Sequence, residues 1–135
     1  MTSTSTAQNP RPADTASDEA VFAALEAGFQ DTLPIVLDSF VGISDPACER
    51  LEDCIACAFW QEAVRLALKI GQEAERLGFM QIEAAARTFA HAAYHADSRD
   101  NLKHDGTMVV VEYRRVRLAL IARYRDFLAP GSPVA

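Results

Sequence analysis

The feature that most constrains the fold is the spacing of apolar residues between Phe59 and Leu77. Apolar residues recur there at i, i+3 and i+4, the spacing that places side chains on one face of an α-helix. The stretch ends in Leu77-Gly78, and a glycine just after a helix readily adopts the left-handed conformation of a C-terminal cap. The pattern therefore predicts an amphipathic helix whose buried face consists of Trp60, Ala63, Val64, Ala67, Ile70, Ala74 and Leu77.

Two shorter helical patterns precede this helix. Ser17 is a plausible N-cap for a helix over 18–29, in which apolar residues recur every four positions. Pro34 suits the first turn of a second segment that ends near Gly42, because a residue in the first turn needs no backbone N–H. Residues 1–17 are rich in Ser, Thr, Ala and Pro and are expected to be a disordered leader.

The chain between 42 and 59 leaves alternatives open. Ser44-Asp45-Pro46 has the composition of a new helix start, so 47–58 is either a separate helix or a kinked continuation of the segment before it. A break near Ala58 is also possible. Since no glycine or proline marks such a break, the helix over 59–77 could equally follow a simple bend.

The C-terminal half predicts two more helices. One extends from about Met80 to Ala96 and the other from about Thr107 to Phe127, with a polar turn between them. Pro130 and Gly131 are expected to end the structure, leaving a disordered tail over 130–135. These patterns predict an all-α protein, an antiparallel four-helix bundle over 18–129 with an extra short N-terminal helix.

Charge and composition exclude several classes of function. The net charge of −6 argues against general affinity for nucleic acid, whose phosphates attract positive charge. The N-terminus lacks the apolar segment of a signal peptide, and no uninterrupted apolar run approaches the length of a membrane span. Three cysteines without an export signal favour the cytoplasm. Charge is uneven along the chain, at −8 over residues 1–60 and +2 over 61–135.

Five arginines fall in the last predicted helix, and they could contact an acidic partner. A solvated helix face is the simpler interpretation. The five are Arg114, Arg115, Arg117, Arg123 and Arg125.

Cysteines and histidines are the candidate ligands for a metal site. Cys48, Cys54 and Cys57 include a C-x-x-C spacing, but a structural zinc site needs four ligands, so packing in the helical core is favoured. His91 and His95 are four residues apart, the spacing of a ligand pair, yet they lie on the predicted wet face, and His104 falls in the predicted turn. We therefore predict no metal site, no cofactor and no enzymatic activity.

Leu68 is the exception to the pattern of the 59–77 helix. At about 100° per residue it falls outside the apolar face, on a stripe with polar residues. A single exposed leucine is common in soluble proteins, and contact with a neighbouring helix would also explain it. The alternative is a partner-binding surface made of Gln61, Arg65, Leu68, Lys69, Gln72 and Glu75, which we call the Leu68 surface.

The chain from Phe40 to Gly78 resembles histidine-containing phosphotransfer (HPt) domains. That family has a phenylalanine, a ladder of leucines, a helix with the motif A-H-x-L-K-G, and a Leu-Gly pair at its end. Phe40 matches the phenylalanine, and Leu77-Gly78 matches the pair. The ladder falls on Cys48, Leu51 and Ile55, Ala67 and Ile70 match the motif, and Leu68 stands where the histidine belongs.

The chain departs from the family at the positions that carry its chemistry. Gly71 stands at the lysine and Gln72 at the glycine, although Lys69 is nearby. Shifting the register by two residues puts Leu66 at the histidine and loses the Leu-Gly match. Leucine has no nucleophilic atom to accept a phosphoryl group.

The resemblance implies a pseudo-phosphotransfer module of bacterial two-component signalling. It would dock a response-regulator receiver domain or a sensor histidine kinase without accepting phosphate. Two alternatives are a helical adaptor or chaperone of another pathway and true phosphotransfer through a relocated histidine, His91 or His95.

Overall fold

The computed structural model describes residues 10–96 and 98–125, and their side chains from residue 18 onward. It contains five α-helices and, among these residues, no strand, which confirms the all-α class. The elements, in chain order, are α1 (Pro10–Phe29), a 3-10 turn (Gln30–Thr32), α2 (Leu33–Ala56), α3 (Trp60–Leu77), α4 (Met80–Tyr94) and α5 (Arg99–Arg123).

The helices α2 to α5 form the predicted antiparallel four-helix bundle. Each packs against the next along the chain, and α5 also packs against α2, which closes the ring. Because the connections are only a few residues long, consecutive helices are antiparallel neighbours. The centre is apolar and excludes solvent; its largest fully buried side chains are those of Leu37, Phe40, Leu51, Ile70, Ile82, Phe89, Val109, Tyr113, Val116 and Leu120.

The extra helix, α1, packs against one end of the bundle. Its Phe22 ring makes edge contacts with Phe79, at 6.1 Å between ring centroids, and with Tyr124, at 5.9 Å. Asp18 is almost buried, and its carboxylate accepts a 2.6 Å hydrogen bond from Arg115 of α5. Arg115 also donates to Gln81 of α4, so one guanidinium joins α1 to two helices of the bundle.

The predicted N-terminal boundary was wrong. The first helix is twenty residues long and begins at Pro10, seven residues before the predicted cap at Ser17. Residues 10–17 are therefore helical, although they were assigned to the disordered leader. Residues 1–9 and the predicted tail over 130–135 lie outside the described residues.

The open question at Pro46 is settled by a single continuous helix. Proline lacks the N–H that would bond to the carbonyl of Gly42, four residues earlier. Both residues are exposed, so water can reach that carbonyl. The opposite face is buried without interruption, and this packing keeps the segments together; it includes Leu37, Phe40, Ser44, Ala47, Cys48 and Leu51.

The break between α2 and α3 is a helix end with alanine in the usual place of glycine. Ala58 has a φ of 58°, the Phe59 N–H donates to the Cys54 carbonyl at 2.8 Å, and the Ala58 N–H donates to the Ile55 carbonyl at 3.1 Å. These two bonds are those of a Schellman motif. The same pair of bonds ends α3, where Gly78 has a φ of 94°.

The predicted polar turn over 96–106 was also wrong. The helix α5 begins at Arg99, capped by Ser98, whose hydroxyl accepts a 3.2 Å hydrogen bond from the Asn101 N–H. His104 consequently lies on a helix. Gly106 is buried because α5 approaches closely here: an added Cβ would lie 2.9 Å from the Ile55 Cδ1. The glycine marks helix packing and not a turn.

One stretch passes a simple test for a membrane-crossing helix. Between Asp18 and Ala56, an 18-residue window has a mean hydropathy of 1.3, and 22% of that window is buried. The expectation concerned uninterrupted apolar runs, and acidic residues interrupt this stretch at Glu26, Asp31, Asp38 and Asp45. The stretch comprises α1 from Asp18 onward, the 3-10 turn and α2. Core helices and signal sequences pass the same test, so it is weak support for a span.

We expect Ala58→Gly to raise the free energy of unfolding by about 0.5–1 kcal/mol, because glycine adopts the left-handed conformation without the steric cost that alanine carries. Urea denaturation measures this. The matched control is Ala84→Gly on the exposed face of α4, which should lower stability by a similar amount, about 0.5–1 kcal/mol. Equal destabilisation by both variants would contradict the conformation of Ala58.

A second pair of substitutions tests how closely α3 and α4 approach. An added Cβ at Gly71 would lie 2.9 Å from the Cβ of Ala86, whereas one at Gly42 would meet nothing within 4 Å. Gly42→Ala should therefore raise the free energy of unfolding by about 0.5–1 kcal/mol through helix propensity. Gly71→Ala should lower it by about 1 kcal/mol, since overpacking outweighs that gain. If both variants stabilise equally, this close contact is not present.

Candidate protein-binding surface

The Leu68 surface lies on the outer face of α3, in the middle of the helix. All six of its residues are exposed, and Leu68 itself is 39% exposed. The inner face of the same helix is filled by other side chains, among them Ala63, Ala67 and Ile70, each fully buried. The structure thus places Leu68 outside the core, in contact with solvent along part of its side chain.

Arg65 is held in place beside Leu68. Its Nε donates to Glu62 at 2.9 Å, and Arg50 of α2 donates to the same carboxylate at 3.1 Å. The hydrogen bond from Arg65 holds the pKa of the Glu62 carboxyl below its ordinary value. Glu62 is thus shared between two guanidiniums, which places both signs of charge at the N-terminal end of the surface.

A groove adjoins this end of the surface. It is lined by Phe59, Trp60, Gln61, Glu62 and Arg65, and Phe59 is 63% exposed. Phe59 was predicted to start a helix and was not among the predicted site residues. The spacing gave no signal for its exposure, because at about 100° per residue Phe59 shares the direction of Leu77, within the predicted apolar face. Phe59 and Leu68 therefore provide two apolar contacts with polar groups between them, an arrangement suited to protein docking.

The positions that carry the HPt resemblance are mostly core positions. Phe40, Cys48, Leu51 and Ile55 are all buried on α2. Leu77-Gly78 ends α3 as the pattern predicts. Leu66 is only 3% exposed, so the register shifted by two residues would put a buried side chain at the histidine position. Only the register with Leu68 at that position puts an accessible residue there.

Gly71 is a structural departure from the family as well as a chemical one. It is buried against Ala86 and Glu83 of α4. The family's lysine offers charge to the phosphoryl group from this position, but a lysine here would collide with α4. Lys69 is exposed two positions earlier and is the nearest cation in sequence.

The cysteines do not form a cluster with other metal ligands. Cys48 and Cys54 are buried, Cys57 is exposed, and all three are free thiols. Burial raises the pKa of the Cys48 thiol to about 11 and also raises the pKa of Cys54. Within the described part of the chain, no group of three or more His, Cys, Asp or Glu side chains could hold a metal ion.

The arginines of α5 bind acids of this same chain. Arg114 makes a bidentate pair with Glu52, and Arg117 and the Tyr113 hydroxyl both donate to Asp45. Further pairs join Arg115 to Asp18 and Arg123 to Glu19 and Glu26. Four of the five arginines proposed for an acidic partner are thus engaged within the molecule.

A second cavity, of about 350 Å³, lies between α2 and α5 beside Asp45. Tyr113 is almost wholly buried there, and burial together with its hydrogen bond to Asp45 raises the pKa of its phenol. This cluster was not among the predicted sites, although Tyr113 and Arg117 are four residues apart on one helix. Since Arg117 satisfies both oxygens of Asp45, the cluster joins the two helices.

Comparisons of the whole chain with known protein families, with curated proteins and with solved structures gave no match.

The thiols give a direct test of the burial on α2. Because the thiolate is the reactive form, we expect only Cys57 to react rapidly with a disulfide reagent in the native protein. Denaturant should expose the thiols of Cys48 and Cys54 to the reagent. Cys57→Ser is the control and should abolish the fast phase alone. A fast phase that persists in this variant would show that Cys48 or Cys54 is accessible.

Proposed function

We propose that this protein is a non-enzymatic docking module of bacterial two-component signalling, similar to an HPt domain without its phospho-accepting histidine. In this proposal it works in the cytoplasm and binds a receiver domain or a sensor histidine kinase through the Leu68 surface. The observation that carries the proposal is the exposure of Leu68 in the middle of α3, at the position where the resemblance places the histidine.

The geometry of the surface supports docking. A phosphotransfer histidine must face outward to meet a partner's active site, and Leu68 faces outward on a helix of a four-helix bundle. Burial of a leucine at an interface contributes about 1.5–3 kcal/mol, so this side chain could anchor a complex. The neighbouring polar residues can hydrogen-bond at the rim, since Gln61, Gln72 and Glu75 are all exposed.

Loss of chemistry at this site follows from two residues together. Leucine at 68 has no nucleophilic atom, and Gly71 leaves no room for the lysine that would neutralise a phosphoryl group. A module of this kind would compete with phosphotransfer by occupying the partner. A helical adaptor of another pathway would use the same surface, and only the identity of the partner separates the two proposals.

The test is binding to the receiver domains and kinases of the organism that encodes the chain, measured with purified proteins. A partner should bind the wild type, and Leu68→Glu should weaken binding at least about tenfold, the equivalent of about 1.4 kcal/mol. Leu118→Glu is the matched control, because Leu118 is also an exposed leucine but lies on α5. Binding to that variant should match the wild type.

Three outcomes would overturn parts of the proposal. If wild type and Leu68→Glu bind the partner equally well, the Leu68 surface is not the docking site. Binding confined to proteins outside two-component signalling favours the adaptor. Acid-labile phosphate on His91 or His95, after incubation with a phosphorylated receiver domain, would show phosphotransfer through a relocated histidine.

A further inference from the structure

The C-terminal end of α4 brings two histidine rings together on the surface. His91 lies in the last turn of the helix, and His95 is its C-cap. Both are exposed, and their ring centroids are 4.2 Å apart with the planes inclined at 49°. The i, i+4 spacing makes the two positions neighbours on the helix surface, and the structure shows their rings in contact.

The electrostatics of this helix end favour a cation. The carbonyls of the last turn carry the partial negative charge of the helix dipole, and cations are stabilised near them. The closest cationic side chain along the same stripe is Arg87, one turn before His91. Its guanidinium pairs with Glu83 at 3.3 Å, which partly offsets its repulsion of a bound ion.

We propose that His91 and His95 form a two-imidazole site for a divalent late first-row transition metal, such as Ni²⁺, Cu²⁺ or Zn²⁺. Each ring would supply one nitrogen, and water would complete the coordination shell. Imidazole is a ligand suited to these ions, whereas Mg²⁺ and Ca²⁺ prefer oxygen. The described residues hold no third ligand in a cluster, so the site is open to solvent or to a ligand from a partner.

A metal ion that bridges His91 and His95, one helical turn apart, should stabilise the folded protein. The metal would bind the folded helix more tightly than the unfolded chain, in which the two rings are not held side by side. Binding should therefore raise the melting temperature by linkage. This inference does not depend on the proposed docking function, since the Leu68 surface lies on a different helix.

The experiment uses the full chain without an affinity tag, and NiCl₂ as the probe. Calorimetry should show one ion bound, and His91→Ala or His95→Ala should each weaken binding about a hundredfold, because a chelate loses its second, effectively intramolecular contact. The matched control is His104→Ala on α5, an exposed histidine outside the pair. A second control is Cys57→Ser, which removes the exposed thiol. Neither control should change the affinity.

Two further measurements keep the proposal falsifiable if a variant is unstable. Circular dichroism establishes that each variant is folded, and paramagnetic Ni²⁺ should broaden the imidazole resonances of His91 and His95 before those of His104. Unchanged affinity in His91→Ala, or equal loss in His104→Ala, would overturn the site. Broadening at all three histidines together would do the same.

Discussion

The bundle depends on the tight reversals at its helix ends. Left-handed residues end α2 and α3, at Ala58 and Gly78, and Ala96 adopts a φ of 55° just after α4. At each of the first two ends, two carbonyls of the last turn accept Schellman hydrogen bonds, so the chain reverses within a few residues while both carbonyls keep a partner. Because the reversals are short, each helix must pack antiparallel to the one before it. Side-chain packing then selects how each helix is rotated about its axis.

The uneven distribution of charge along the sequence is explained by ion pairs that α5 makes with α1 and α2. Five acids of the N-terminal half lie on α1 and α2 and pair with arginines of α5 across the bundle. Arg114 lowers the pKa of Glu52, and Arg123 lowers that of Glu26, mainly through hydrogen bonds. The contribution of such pairs to stability is present at neutral pH and is lost as the pH falls through the lowered pKa values of the carboxyls. The charge asymmetry therefore indicates internal pairing more than an acidic partner.

Much of the fold was predictable because apolar periodicity is a local signal, and the exposure of Leu68 followed from it directly. Helix ends were predicted less well for identifiable reasons. Ala58 adopts a conformation that glycine usually marks, and Gly106 looked like a turn residue although it lets α5 approach Ile55. The convergence of His91 and His95, and the Asp45 cluster, required side-chain orientation and long-range pairing, which periodicity does not contain.

The rotation of α3 connects the fold to the proposed function. Gly71 must face α4 because no larger residue fits beside Ala86, and this fixes which side of α3 is turned inward. Leu68 precedes Gly71 by three residues, about 300° around the helix, and so falls at the outer edge of the contact. The same close packing that leaves no room for a lysine at position 71 therefore keeps position 68 accessible. Since the core is complete without Leu68, packing does not require an apolar side chain there, whereas a docking partner would.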